Sequence, residues 1–167
     1  MPSFDPVDPS FADRVRESFG RQVFMKTIGA LLTKVSPGEV HVELSFRNDL
    51  TQQHGFLHAA VITAIVDTAC GFAALTLAPS DAGVLTVEYK VNFMSPGSGE
   101  RMTAHGRVLK RGRAVTVCAG DVYARQAKHE RHIATMIATI ANVIGRPDLV
   151  GSQPSRPKNV GFGGPAR

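Results

Sequence analysis

Cysteine is scarce: Cys70 and Cys118 are the only two in 167 residues, both lie inside apolar segments, and neither belongs to a CxxC or to a Cys/His pattern with metal-ligand spacing. A disulfide scaffold and a zinc site are thereby excluded, and the pair reads as small core residues of a reduced, cytosolic protein. Concentrated positive charge is also missing. The net charge is +5 and the pI near 9.6, but the lysines and arginines are spread thinly, with no basic helix and few aromatics among them. Such a pattern offers no nucleic-acid surface. The N-terminus, "MPSFDPVDPSFADRVRESFG", has no basic start followed by an apolar stretch and no small-residue cleavage site, so no secretory signal is expected. No internal repeat or heptad pattern occurs, and His105, His129 and His132 form no metal-like cluster, so no metal is expected.

What is present fits one domain with a real core, since 43% of the chain is hydrophobic. Residues 1–22 read as an N-terminal segment with a short helix from an N-cap at Ser10 to about Phe19, stopped by Gly20. Residues 23–145 form the main domain, and residues 146–167, rich in Pro, Gly and Ser, are expected to be an extended or mobile tail. Within the domain, "LLTKVSPGEVHVELSF" predicts a hairpin about Ser36, Pro37 and Gly38, with Val40, Val42, Leu44 and Phe46 on one face. "GVLTVEYKVNFMSPGSGE" alternates as a long strand, with Leu85, Val87, Tyr89, Val91 and Phe93 facing one way and Thr86, Glu88, Lys90 and Asn92 the other. Three more strands follow in "RMTAHGRVLK", "RAVTVCAGDVYA" and "RHIATMIATIANVI", divided by turns at Arg111–Gly112 and around Lys128 to Glu130. Their short connections make them antiparallel.

Between the hairpin and the long strand, residues from Phe56 to Ala78 are almost wholly apolar or small, except for Asp67. The alanine-rich composition and Pro79 beyond it predict a helix, and its all-round apolarity predicts burial. A membrane span is the rival reading. Asp67 at the centre and amphipathic strands on both sides weaken it. A buried helix wrapped by a curved antiparallel sheet accounts for the whole pattern, an α+β fold.

The order strand, strand, long helix, four strands resembles the hotdog fold, and "HAAVITAIVD" resembles the HGG-x6-D signature of PaaI-like acyl-CoA thioesterases. Gln52, the turn His54–Gly55, "NFMSP" from Asn92 to Pro96 and "LKRGR" agree with it, so the resemblance spans roughly residues 23–143. One departure concerns Ala59 and Ala60, which stand where the family has paired glycines. They keep the backbone N–H but add methyl groups where substrate must approach.

His58 and Asp67 are nine positions apart. Nine steps of about 100° place them on opposite sides of one helix with about 13.5 Å of rise between them, so they form no dyad within one chain. A shared reaction then requires two copies, a homodimer or a dimer of dimers with sites at the interface, which the resemblance implies as well. Thioester hydrolysis needs a base or nucleophile and an oxyanion donor. Asp67 can be either, with a pKa raised by its apolar surroundings. The Ala59 N–H, in the first helical turn, is the expected oxyanion donor, and His58 either takes part or caps the helix. By the resemblance, Gln52 donates to the thioester carbonyl or holds water, and the Thr86 hydroxyl orients the water or the carboxylate. Lys110, Arg111 and Arg113 around Gly112 suit the phosphates of coenzyme A, or else form a solvated turn. Coenzyme A enters only as part of the substrate, and no separate cofactor is expected. The expected function is hydrolysis of an acyl- or aroyl-CoA in the cytoplasm. The alternatives are a non-catalytic acyl-CoA-binding protein of the same fold and a hotdog hydratase or dehydratase.

Overall fold

In a computed structural model, residues 4–146 of the chain are described; all but the first residue of the expected tail lies outside them. Helices α1 (Phe11–Arg21) and α2 (Val23–Ile28) precede strands β1 (Leu31–Ser36) and β2 (Glu39–Ser45), then helix α3 (Ala59–Leu75), and finally β3 (Ala82–Phe93), β4 (Arg101–Lys110), β5 (Val115–Gln126) and β6 (His129–Ile144). The strands form one six-stranded sheet in the order β1-β2-β4-β5-β6-β3, antiparallel at every junction.

Helix α3 packs on β2, β3, β4, β5 and β6, and its apolarity on all sides is thereby explained. Ile65, Val66, Ala69, Cys70 and Ala73 are fully buried against Val40, Val42, Met102, Ala104, Val122, Met136 and Ile140 from the sheet. Each large side chain in such a place contributes about 1.5–3 kcal/mol. The approach is closest at a pair of glycines. Gly106 and Gly120 face each other across β4 and β5. A Cβ at Gly106 would lie 2.2 Å from the Ala69 carbonyl carbon, and one at Gly120 would lie 2.4 Å from Val66 Cγ2. Cys70 and Cys118, both buried and free, meet under this contact, with the Cys118 thiol 3.4 Å from the Cys70 carbonyl oxygen.

Three local expectations need correction. Ser10 precedes α1 but makes no capping bond with its side chain; Asp8 Oδ1 instead accepts from the Ser10 N–H at 2.9 Å. Gly20 does not stop the helix, which runs on to Arg21 and ends where Gln22 turns extended. The short helix α2 has no counterpart in the expectation. Six residues including the β-branched Val23, Thr27 and Ile28 carry no helical signal, and the turn is closed instead by Gly29 at φ 77°, whose N–H bonds back to Lys26 and Met25.

Helix α3 ends at Leu75, short of Ala78, and a tighter turn continues through Leu77 and Ala78 with N–H bonds back to Ala74 and Leu75. Arg14 of α1 closes this end, donating to the carbonyls of Leu75, Ala78 and Pro79 while pairing with Asp8 at 3.3 Å. A guanidinium is well placed at a helix C-terminus, and it fixes α1 against α3.

Candidate active site

Asp67 stands half-buried on α3, and the Thr86 hydroxyl of β3 donates to its Oδ1 at 2.8 Å. Burial raises the Asp67 pKa and the hydrogen bond from Thr86 opposes it, with burial the larger effect. The strict alternation expected of β3 would have placed Thr86 on the face opposite Tyr89, Val91 and Phe93. The structure differs because the register shifts between Thr86 and Glu88, making Val87 a bulge. Thr86 pairs with Ile140, Tyr89 with Ala138, Val91 with Met136 and Phe93 with Ala134, all buried core-facing residues of β6. Side chains directly opposite each other lie on the same face. Thr86 therefore shares the helix-facing side with Tyr89, Val91 and Phe93, while Leu85, paired with Ala141, faces outward.

The pair lines a cleft of about 250 Å³ with Thr68, Gly71, Phe72, Val84 and, from α1 and the joint beyond it, Ser18 and Gln22. A second cleft, of about 330 Å³, also meets Asp67 and is walled by Gln22, Val23 and Phe24. These N-terminal walls had no signal in the sequence. Nothing in the spacing of Ser18, Gln22 or Phe24 places them against a carboxylate some forty-five positions away.

The start of α3 belongs to a separate cleft of about 470 Å³, where Gln52, Phe56, Leu57 and Ala59 meet Ile62, Phe93, Met94 and Pro96. His58 is the N-cap: its Nδ1 accepts from the Ala60 N–H at 3.0 Å, so the neutral ring carries its proton on Nε2. The Ala59 N–H lies in the first turn, ahead of any intrahelical acceptor. Gln52 sits on a tight turn held by its N–H to the Phe56 carbonyl at 2.8 Å and by Gly55 at φ 81°. Its Oε1 accepts from the His54 N–H, which leaves the amide NH2 as the donor end.

The basic turn is in a third place. Arg111, Gly112 and Arg113 line a cleft of about 350 Å³ with Leu77, Pro79, Thr116 and Asn142, and Lys110 ends β4 beside it. Asn142 Nδ2 ties the turn down by donating to the Gly112 and Arg113 carbonyls at 3.0 and 3.2 Å. Gly112 has a steric reason to be glycine, because a Cβ there would meet the Val115 oxygen at 2.2 Å. One chain thus brings Asp67 and Thr86 together, and Gln52 and Ala59 together, but it does not join the two pairs or add the basic turn to either.

His105 and His132 lie on the outer face of the sheet, not near this site. With His41 and Tyr123 they make a ladder of rings across β2, β4, β5 and β6, at centroid distances of 3.8, 5.1 and 4.8 Å. Asp121 buttresses it, meeting His132 Nε2 at 3.1 Å and pairing with Arg107. Among the described residues, no group of three or more His, Cys, Asp or Glu is placed to hold a metal ion. Among them, too, no helix is long and apolar enough to cross a membrane.

The thioesterase superfamily model matches residues 54–129, which hold the start of α3, Asp67, Thr86 and the basic turn. A solved thioesterase family protein from Silicibacter pomeroyi is 47% identical with a TM-score of 0.80, the match covering 81% of this chain and 99% of the other. Human acyl-coenzyme A thioesterase 13 is 26% identical over 119 residues, covering 66% of this chain and 84% of that one. The PaaI protein of the E. coli phenylacetic acid degradation operon shares the fold at 14% identity, with a TM-score of 0.73 over 80% of this chain and 94% of its own. This chain belongs to the thioesterase superfamily: it is a hotdog protein of α+β class that shares its fold with PaaI, and thioester hydrolysis is the family's chemistry.

Proposed function

We propose that this protein hydrolyses an acyl- or aroyl-CoA thioester to the free acid and coenzyme A. The observation that carries the reading is the Asp67–Thr86 pair, a half-buried carboxylate held by one hydroxyl on the wall of a cleft. With Oδ1 occupied by Thr86, Oδ2 is the reactive oxygen. As a base it takes a proton from water, whose oxygen bonds to the carbonyl carbon; the carbonyl oxygen takes up the negative charge and the Ala59 N–H receives it. Collapse breaks the C–S bond, and the thiolate of coenzyme A leaves with the proton held by Asp67. As a nucleophile, Oδ2 itself bonds to the carbonyl carbon, the C–S bond breaks and the thiolate of coenzyme A leaves; water then cleaves the resulting anhydride, which restores the Asp67 carboxylate and releases the free acid, with the proton going to the thiolate. The Gln52 amide donates to the same carbonyl, and His58 acts by shaping the turn that presents Ala59. The human relative's name, which specifies acyl-coenzyme A, supports the substrate class.

The two halves of the site combine through β3. This strand is a sheet edge and carries exposed Leu85, Val87, Tyr89 and Phe93, an arrangement that leaves main-chain groups and apolar surface without a neighbour among the described residues. Antiparallel pairing of β3 with its copy sets the Thr86 end of one strand beside the Phe93 end of the other. The Asp67 cleft of one subunit then opens onto the Gln52 and Ala59 cleft of its partner. Lys110, Arg111, Gly112 and Arg113 would grip the phosphates of coenzyme A, and residues 23–145 would be the thioesterase domain behind the 1–22 segment.

Release of free thiol from short, medium, long and aromatic acyl-CoAs, measured for wild type and Asp67→Asn, tests the reading. The expected result is turnover by wild type and a loss of at least about 100-fold in the variant with ligand binding retained. A wild type that binds acyl-CoA without any turnover would instead establish the non-catalytic binding protein.

A further inference from the structure

Asp67 lies where two clefts meet, and Thr68 and Gln22 line both as well. The two run in opposite directions along α3. The larger reaches back to Ala64, about one turn before Asp67, while the smaller reaches on to Gly71, Phe72 and Leu75, about one to two turns after it. A thioester whose carbonyl carbon stands at Asp67 extends an acyl arm one way and a pantetheine arm the other.

The basic turn distinguishes the two. Its cleft begins at Leu77 and Pro79, just beyond Leu75, and its Asn142 is the strand partner of Val84, which lines the smaller cleft. From Asp67 to Leu77 the chain rises about 15 Å, at about 1.5 Å per residue. The pantetheine arm spans about thirteen bonds from sulfur to the first phosphorus, the length of about four extended residues or about 14 Å. With the phosphates on Arg111 and Arg113, that arm fills the smaller cleft, and the acyl arm is left with the larger.

Helix α2 gives the larger cleft its character. It buries Met25 and Ile28 in the core, which anchors it, and leaves Val23 74% and Phe24 55% exposed on the cleft that Ala64 and Asp67 also line. Covering such surface is favourable, and the acyl chain is the part of this substrate that covers it without losing hydrogen bonds. At about 330 Å³ the cleft stands at the lower end of the about 300–1,000 Å³ range of small-molecule sites, room for a medium chain or a single ring. We propose that α2, which lies outside the stretch that the family model matches, is the acyl-recognition element, with Val23 and Phe24 on one wall and Ala64 on the other, and that it selects a compact apolar acyl group. This rests on the hydrolase reading and deepens it by naming the substrate class.

The test compares kcat/KM for octanoyl-CoA and butanoyl-CoA within each variant, by thiol release. Phe24→Ser should lower the octanoyl-to-butanoyl ratio about tenfold, and Phe24→Leu, which keeps the wall apolar, should hold it within about threefold of wild type. Ala64→Leu, which narrows the cleft, should lower the ratio as well. Inhibition by free coenzyme A should stay within about twofold throughout, because that arm lies the other way. Phe24 is exposed, so its variants keep the test even where Ala64→Leu fails to fold. An unchanged ratio in Phe24→Ser would overturn the inference and leave the hydrolase reading intact. So would weakened coenzyme A inhibition at an unchanged ratio, which would reverse the two arms. A ratio that follows Met94→Ala and not Phe24→Ser would overturn it too, placing the acyl group in the Gln52 and Ala59 cleft. A wild type inactive on the whole panel would remove this inference and the hydrolase reading together.

Discussion

At the scale of single residues, the proposed reaction requires Asp67 to be ionised in a place that disfavours ionisation. Burial holds its pKa above the ordinary 3.8, and the Thr86 hydroxyl, which favours the charged form, pulls it part of the way back. Removing that hydroxyl leaves burial unopposed. Thr86→Val should therefore move the acid limb of kcat/KM to higher pH than in wild type, measured by thiol release from about pH 4 to 8. The same shift has a stability consequence of definite sign. A carboxyl whose folded pKa is raised binds protons more tightly in the folded chain than in the unfolded one, so stability falls as pH rises through the window above 3.8. Asp67 thus weakens the fold at neutral pH, and Asp67→Asn should melt no lower than wild type there while turnover is lost. A denaturant titration alongside the activity assay reads both. Cys70 and Cys118 lie deeper than Asp67, and burial raises both thiols, Cys118 to about 12, so neither is poised as a nucleophile.

At the scale of elements, the seat of α3 on the sheet depends on missing side chains. A methyl group at Gly106 would meet helix backbone, which cannot rotate away as a flexible side chain can. Gly106→Ala should cost about 3 kcal/mol or more in a chemical denaturation experiment. Gly20 provides the matched contrast. Among the described residues outside its own stretch of helix, nothing lies within 4 Å of the position its Cβ would take, and it sits within α1, so Gly20→Ala should stabilise by about 0.5–1 kcal/mol. The outer ladder of His41, His105, Tyr123 and His132 ties four strands on the face opposite the helix. Burial and the neighbouring His41 hold the His105 pKa below 6.5. Its neutral form suits the stacked position, and the ladder therefore supports the fold less as pH falls below that value.

At the scale of the whole molecule, the proposed dimer rests on the exposed apolar edge of β3. Val87→Lys together with Phe93→Lys should yield monomers in sedimentation and lose hydrolysis with them, because each chain then keeps only half of the site. The architecture was legible because its signals are local and periodic: the alternation of Val40, Val42 and Leu44, the turn at Gly38, and the long apolar run that became α3. Asp67 stood out as the lone charge in that run. Other features left no such mark. Helix α2 is too short to show a period, the Gly106–Gly120 seat depends on two strands meeting the same turn of helix, and Gln22 comes to share clefts with Asp67 only through the fold. The facing of Thr86 was misread for a related reason, since a bulge is one extra residue and no composition announces it. This last point bears on how sequences of such proteins are set side by side. In β3 the parity of residue number changes at Val87: even positions face the helix before it and odd positions after it. A relative with a straight strand would match this one only across a gap of one residue at Val87. An ungapped comparison of the two would keep the apolar positions in step from Tyr89 onward and assign the wrong side chain to the carboxylate.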